Sequence, residues 1–349
     1  MGSARFLART AACGAVVGAA GLGYATLYEV RAFTLREVTV PVLPAGAAPL
    51  RVLHLSDLHM TPTQGVKQRW LRSLADLRPD LVINTGDNLA HPEVVDTLLE
   101  SLGPLTDRPG AFVFGSNDYF APSLRNPVRY LMPDNGRRHT DGPRLPYEDL
   151  RARFTKSGWV DLNNRHGALE VDGLRIAFVG VDDPHLEHDD LAGVAGPADS
   201  SADLRVAVTH APYLRVLDQF AADGYELIMA GHTHGGQLRL PGVGALVTNC
   251  DIEPARARGL NRHPAASAPG TPGSSWLHVS AGAGTSPYAP VRFCCRPEAT
   301  LLTLRARFSR GPLPRLTSSG CQFGLWRSLV ARFVRDEEAA GSNPVSPTM

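Results

Sequence analysis

Five times in this chain a short aliphatic run stops at a polar cluster, which restricts the fold to a sheet with its chemistry along one edge. The runs are RVLHLSD (51–57), DLVINTGD (80–87), GAFVFGS (110–116), LRVAVTH (204–210) and ELIMAGH (226–232). Short, uninterrupted β-branched and aliphatic segments read as buried strands. VKQRWLRSLADL (66–77), between the first two, has helical periodicity, and PEVVDTLLESL (92–102), between the second and third, opens with proline at a helix start. Strands alternating with helices predict an α/β fold, and such sheets carry their sites just beyond the carboxyl ends of the strands. The polar clusters fall in that place: SDLH (56–59), GDN (86–88), GSND (115–118), TH (209–210) and GHTHGG (231–236).

Together the clusters gather Asp57, His59, Asp87, Asn117, His210, His232 and His234. Oxygen and imidazole donors in this mixture suit two divalent metal ions of the borderline kind, Mn, Fe(II) or Zn. No cysteine sits among them, which argues against a structural zinc site. One Asp or His at a strand end often only caps a helix or bonds a turn; an ordered set over five strand ends reads as a metal centre. His232 and His234 are two residues apart, so an extended strand would point both one way and a turn would separate them. His54, inside a strand pattern, reads as a buried supporting histidine rather than a ligand. Asp182, Asp183 and His185 follow the strand LRIAFVGV (174–181). That makes Asp183 and His185 candidate substrate-binding residues at the rim.

These clusters resemble the motifs DxH, GD, GNH[DE], H and GHxH of the calcineurin-like metallophosphoesterase family. GHTHGGQ (231–237), GVDDP (180–184) and RFCCRPE (292–298) resemble its membrane-associated bacterial branch, and the likeness spans residues 50–305. The resemblance implies a four-layer α/β/β/α sandwich and metal-dependent hydrolysis of a phosphomonoester or phosphodiester. It also implies that Asp87 bridges two ions, with Asp57, His59 and His234 on one. His210, His232 and the side chain of the third motif then hold the other. Two cations roughly 3.5–4 Å apart activate water and clamp the oxygens of an in-line displacement.

The third motif departs from the family pattern. GSND puts Ser116 on the Asn position and Asn117 on the His position. Either Asn117 swings in as the ligand, or Ser116 ligates and Asn117 bonds a phosphate oxygen. In both cases the histidine that protonates the leaving oxygen is missing, and Asp118 and His185 are candidates to replace it. A strong preference for good leaving groups follows. A non-catalytic pseudo-phosphatase that binds phosphorylated ligands is the rival reading.

A chain of 349 residues accommodates one large domain, expected over 50–307. GQLRL (236–240), SWLHVSAG (275–282) and TLLTLRAR (300–307) supply closing strands, and VTVPVLPAGAAP (38–49) reads as a first strand or a tether. The net charge of +1 makes no electrostatic case for nucleic acid. The stretches 126–146 and 261–275 read as loops. Five cysteines with no CxxC spacing give no disulfide framework.

Residues 10–28 carry no charge, follow Arg5 and Arg9, and approach the roughly 20 residues that span a bilayer. Residues 1–37 are therefore expected to form a membrane anchor, with a cleaved signal or a soluble helix as alternatives. The positive-inside rule would put the catalytic domain outside the cytoplasm, which suggests an envelope or lipid-linked substrate. Residues 310–349 lose the sheet grammar and contain GSNP (341–344), which a tRNA T-arm sequence encodes in one frame. That tail reads as translation into a neighbouring tRNA gene, with an amphipathic helix over 325–334 as the alternative.

Overall fold

Successive residues of a strand point to opposite faces, so strands apolar at every position need cover on both sides. The computed structural model describes residues 2–123, 138, 140 and 142–307. Its first sheet orders β1 (Thr34–Leu43), β14 (Glu298–Ala306), β2 (Leu50–Leu55), β3 (Leu81–Asn84), β4 (Gly110–Phe112) and β5 (Val160–Asp161). The second orders β12 (Gly259–His263), β13 (Ser275–Val279), β9 (Leu227–Ala230), β8 (Leu204–Val208), β7 (Leu174–Gly180) and β6 (Arg165–Val171). In the first sheet β2, β3, β4 and β5 pair in parallel, and in the second β7, β8, β9 and β13 do.

Leu53 and Leu55 of β2, Val82 of β3 and Phe112 of β4 point away from the second sheet. They pack on α2 (Gly65–Ser73), α3 (Val95–Leu102) and α5 (Tyr147–Lys156) through Leu71, Leu98, Leu102 and Phe154. Their neighbours Val52, Ile83 and Ala111 point the other way and meet Phe178, Val206 and Met229 of the second sheet. The far face of that sheet, with Ala207, Ile228 and Leu277, packs on Val216, Leu217 and Phe220 of α7 (Leu214–Ala222). The order is helix, sheet, sheet, helix. Two one-turn helices, α4 (Ser116–Tyr119) and α6 (Leu191–Val194), sit in the loops after β4 and β7.

Several elements differ from expectation. The sheet starts before residue 50: β1 lies parallel to β14 in register from Thr34↔Glu298 onward, so 38–43 is strand and not tether. The helix expected over 66–77 ends as a 3-10 turn, Leu74–Leu77, and that over 92–102 begins at Val95. GQLRL adds to neither sheet; Arg239–Leu240 (β10) forms a two-stranded ribbon with Gly244–Ala245 (β11), and Leu238 makes an isolated parallel bridge to Phe293. The stretch 261–275 is a loop flanked by β12 and β13 rather than a loop throughout. Of the loop expected over 126–146, residues 138, 140 and 142–146 lie within the described residues, and the Arg138 guanidinium donates to the Tyr213 hydroxyl at 3.2 Å. The tail over 310–349 lies outside them.

The amino-terminal anchor is corrected. Gly2–Gly23 is helical (α1), but among the described residues no helix is long and apolar enough to cross a membrane. Ten of residues 10–28 are Ala or Gly, whose small side chains bring little apolar area per turn. The chain after α1 is instead tied into the domain. Buried Glu29 accepts the backbone N–H groups of Cys294 and Cys295, and the Arg292 N–H donates to the Ala25 carbonyl at 3.0 Å.

Candidate metal centre

At the ends of β2, β3 and β9 the chain turns through a conformation that L-residues avoid. Asp57, His59, Asp87, His232 and His234 all have positive φ, between 41° and 67°. Left-handed backbone at a residue with a Cβ is disfavoured, and such strain collects at functional sites. His234 opens a 3-10 turn, so His232 and His234 do not point the same way. The left-handed turns bend the side chains back over the sheet edge.

Four of these side chains, Asp57, His59, Asp87 and His234, offer donor atoms all within 4.8 Å of one another. His59 Nε2 lies 3.2 Å from His234 Nε2 and 3.5 Å from Asp87 Oδ2, and His234 Nε2 lies 3.6 Å from Asp57 Oδ1. Beside them, His210 Nε2 is 3.5 Å from Asp87 Oδ1 and 3.3 Å from His232 Nδ1. Donors bound to one cation at 2.0–2.2 Å stand about 3–3.6 Å apart. Both groups have that spacing, and Asp87 gives one carboxylate oxygen to each.

The second nitrogen of three imidazoles is held by a backbone carbonyl. His210 Nδ1 reaches Thr85 O at 2.7 Å, His234 Nδ1 reaches Gly284 O at 3.1 Å, and His232 Nε2 reaches Asn249 O at 3.2 Å. A carbonyl only accepts, so in their neutral forms His210 and His232 carry a proton on these nitrogens and turn the other nitrogen to the cluster, while His234 Nδ1 has both a carbonyl and the Arg292 guanidinium in reach. The donor set therefore fits divalent cations. Burial holds His59 down at about 4 and His234 well below its usual range, leaving both neutral, the form that ligates. Burial also pushes Asp57 up to about 6 and opposes ionisation of Asp87. At Asp87 the His210 and His59 imidazoles and the Asn117 bonds outweigh it, holding the carboxyl below its usual range. Burial opposes charge on His210 too, but the carboxylates of Asp87, Asp183 and Asp57 lift it to about 9.

The third motif turns its two polar residues apart. Asn117 donates its backbone N–H to Asp87 Oδ1 at 2.7 Å and its amide to Oδ2 at 2.8 Å, and it lines the cleft. The Ser116 hydroxyl bonds Asp183 Oδ2 at 2.5 Å. Asp118 is fully buried, and its oxygens accept the N–H groups of Asp87, Asn88 and Gly115 at 2.8–3.0 Å. It splints two strand ends and faces backbone amides, not the cleft, although burial and the Asp87 charge raise it to about 7. Asp183 is likewise buried, holding Ser116 and the His185 N–H, so the rim position expected for it is not where the structure puts it. His185 does line the cleft, 3.0 Å from the Tyr213 hydroxyl, with its ring 4.5 Å from that of His232.

Gly231 allows the two sheet ends to meet. A Cβ there would strike Ser56 Oγ and come within 2.7 Å of Asp57 Oδ2 and 3.0 Å of Thr85 Oγ1. Gly231→Ala is expected to destabilise the fold by about 1–3 kcal/mol, the range for overpacking. Urea unfolding reads it, and an unchanged midpoint would refute the close approach.

Residues 50–236, more than half of the chain, match the calcineurin-like phosphoesterase family. The chain belongs to that family. It is 24% identical over 302 residues to the uncharacterized metallophosphoesterase YkuE of Bacillus subtilis (strain 168), covering 84% of this chain and 93% of YkuE. It is 27% identical over 308 residues to phosphodiesterase YaeI of Escherichia coli (strain K12), covering 86% and 98%. A Bos taurus transmembrane protein with a metallophosphoesterase domain is 29% identical over 62% of this chain and 48% of its own length.

Some groups that shape the candidate site escaped the sequence reading. Arg292 is fully buried, donates to the carbonyls of Ala281, Gly282 and Gly284, and comes within 3.3 Å of His234 Nδ1. It gathers the loop whose Gly284 carbonyl orients His234. RFCCRPE held the clue, but nothing in an arginine's spacing says that it will be buried. The backbone carbonyls of Thr85, Gly284 and Asn249 leave no residue-type signal at all. Gln237, Asn249 and Ser286 also line the cleft.

Proposed function

We propose that this chain is a two-metal phosphodiesterase, with Asp57, His59 and His234 on one divalent ion and His210, His232 and Asn117 on the other. Asp87 bridges them. The observation that carries the reading is the division of the Asp87 carboxylate, Oδ2 toward His59 and Oδ1 toward His210, each at 3.5 Å. Such a pair, when bound, supplies Lewis-acid stabilisation of the phosphoryl oxygens and a water of lowered pKa. The chain's own residues do the rest. Carbonyl-held imidazoles keep their lone pairs aimed, Asp118 locks the Asp87 and GSND turns together, and His185 with Gln237 borders the space left for the ester. Ser116, committed to Asp183, is not the ligand of the third motif. A diester is favoured because YaeI, matched over nearly its whole length, is a phosphodiesterase. The domain extends from β1 through β14, residues 34–306.

Full-length protein stripped of metal and reloaded with Mn is expected to hydrolyse bis(p-nitrophenyl) phosphate, with no turnover before reloading. Folded protein that takes up Mn and hydrolyses neither diester nor monoester would be a metal-binding pseudo-phosphatase instead.

A further inference from the structure

Among the histidines outside the two clusters, His54 and His278 are buried between the sheets. His54 on β2 and His278 on β13 belong to different sheets, yet their Nδ1 atoms lie 2.8 Å apart. From His54 the contacts continue: Nε2 to Thr85 Oγ1 at 3.0 Å, Thr85 Oγ1 to Ser56 Oγ at 2.6 Å, and Ser56 Oγ to Asp57 Oδ2 at 2.5 Å. Every member is at most 1% exposed, so bulk solvent does not reach these bonds and each needs a defined donor.

Their arrangement follows from the last link. An ionised carboxylate only accepts, so the Ser56 hydroxyl donates to Asp57. With that proton spent, Ser56 accepts from Thr85; with its own spent, Thr85 accepts from His54 Nε2–H. Neutral His54 then has a bare Nδ1, which takes the proton of His278 Nδ1. All four bonds point one way, toward the carboxylate. Burial keeps both imidazoles neutral, holding His278 down at about 4 and His54 well below its usual range.

We propose that His278 and His54 are positioning residues for the metal centre. Their one-way hydrogen-bond chain, crossing from the second sheet to the first, holds Asp57 Oδ2 so that Oδ1 faces His234. The proposal rests on the two-metal reading. Asp57 Oδ2 alone accepts from the chain, the His232 N–H lies 3.1 Å from both carboxylate oxygens, and Oδ1 stands 3.6 Å from His234 Nε2. Gly231 is part of the device, since a side chain there would displace Ser56, Thr85 and Asp57 together. The second sheet thereby helps to aim a ligand carried by the first.

The test has two independent readings on the full-length protein. Nitrogen-15 NMR of the metal-free protein is expected to find His54 as the Nε2–H tautomer and His278 as the Nδ1–H tautomer. A proton on His54 Nδ1 would overturn the direction of the chain. Thr85→Val, which removes only the middle link, is expected to weaken Mn binding by about 10–100-fold, the usual cost of losing a group that orients a metal ligand. Turnover should recover at saturating Mn, and Thr85→Ser should bind Mn like the parent. Unchanged Mn affinity in a folded Thr85→Val would refute the positioning role, as would a parent that binds no Mn. A parent that binds Mn but hydrolyses nothing would defeat the catalytic reading and leave the positioning role to stand on affinity and tautomer.

Discussion

Asp87→Asn is expected to lower Mn-supported hydrolysis of bis(p-nitrophenyl) phosphate by well over the roughly 10–100-fold seen on losing an outer partner of a metal ligand. The residue sits where both donor groups meet, 3.5 Å from His59 Nε2 on one side and from His210 Nε2 on the other. An amide has nearly the same shape but carries no charge, and one of its two ends is a donor. It therefore cannot offset the repulsion between two cations, and it directs N–H groups at one cluster. The backbone should tolerate the change, because the Asp87 N–H is held by Asp118 at 2.8 Å independently of the Asp87 side chain. The expected result is a folded variant with metal content reduced below two ions and little activity, measured by elemental analysis beside kcat/KM. Activity within tenfold of the parent at full Mn loading would exclude Asp87 as the bridge.

The second large effect lies in the leaving group. The parent is expected to cleave aryl esters at least about 10² faster than alkyl esters, because general-acid assistance contributes about 10²–10⁴-fold and Asn117 has no proton to give. An aryl oxide departs without assistance; an alkoxide does not. Asn117 is held against Asp87 by two hydrogen bonds of 2.7 and 2.8 Å, and the neighbouring carboxyl of Asp118 is turned onto backbone amides. Ser116→Asn together with Asn117→His, which restores the GNH order of the family motif so that one residue can ligate and the next can donate a proton, is expected to narrow the aryl-to-alkyl ratio by raising alkyl turnover. A series of phosphodiesters with graded leaving-group pKa reads this directly. Equal rates across the series in the parent would mean that another residue donates the proton, and His185 in the cleft would be the one to replace next.

The strands that carry the site were legible because a parallel strand buried on both faces is mostly apolar along its length, so clustered polar residues mark its end. Asp57, Asp87, His210 and His232 mark those ends, but they divide between the two sheets, β2 and β3 in one and β8 and β9 in the other, and only the packing of the sheets brings them together. Helix and strand limits were less legible. The β1–β14 pairing joins residues some 260 positions apart, and nothing local in VTVPVL announces its partner. Residues 10–28 misled for a different reason: absence of charge was read as membrane affinity, whereas Ala and Gly supply too little apolar area.

What the sequence by itself determined is the donor inventory, its place at strand ends, and the presence of Asn rather than His at position 117, because residue identity alone decides which atoms can ligate or donate a proton. Direction belonged to the tertiary structure. Asp118 and Asp183 look from sequence like groups free to act, yet close packing spends their oxygens on backbone amides, a hydroxyl and a turn. The tautomers of His210 and His232 depend on carbonyls from distant loops, and the chain from His278 to Asp57 exists only where two sheets touch. A hydrogen bond depends on where two atoms lie in space, and that separation has no counterpart in a one-dimensional string.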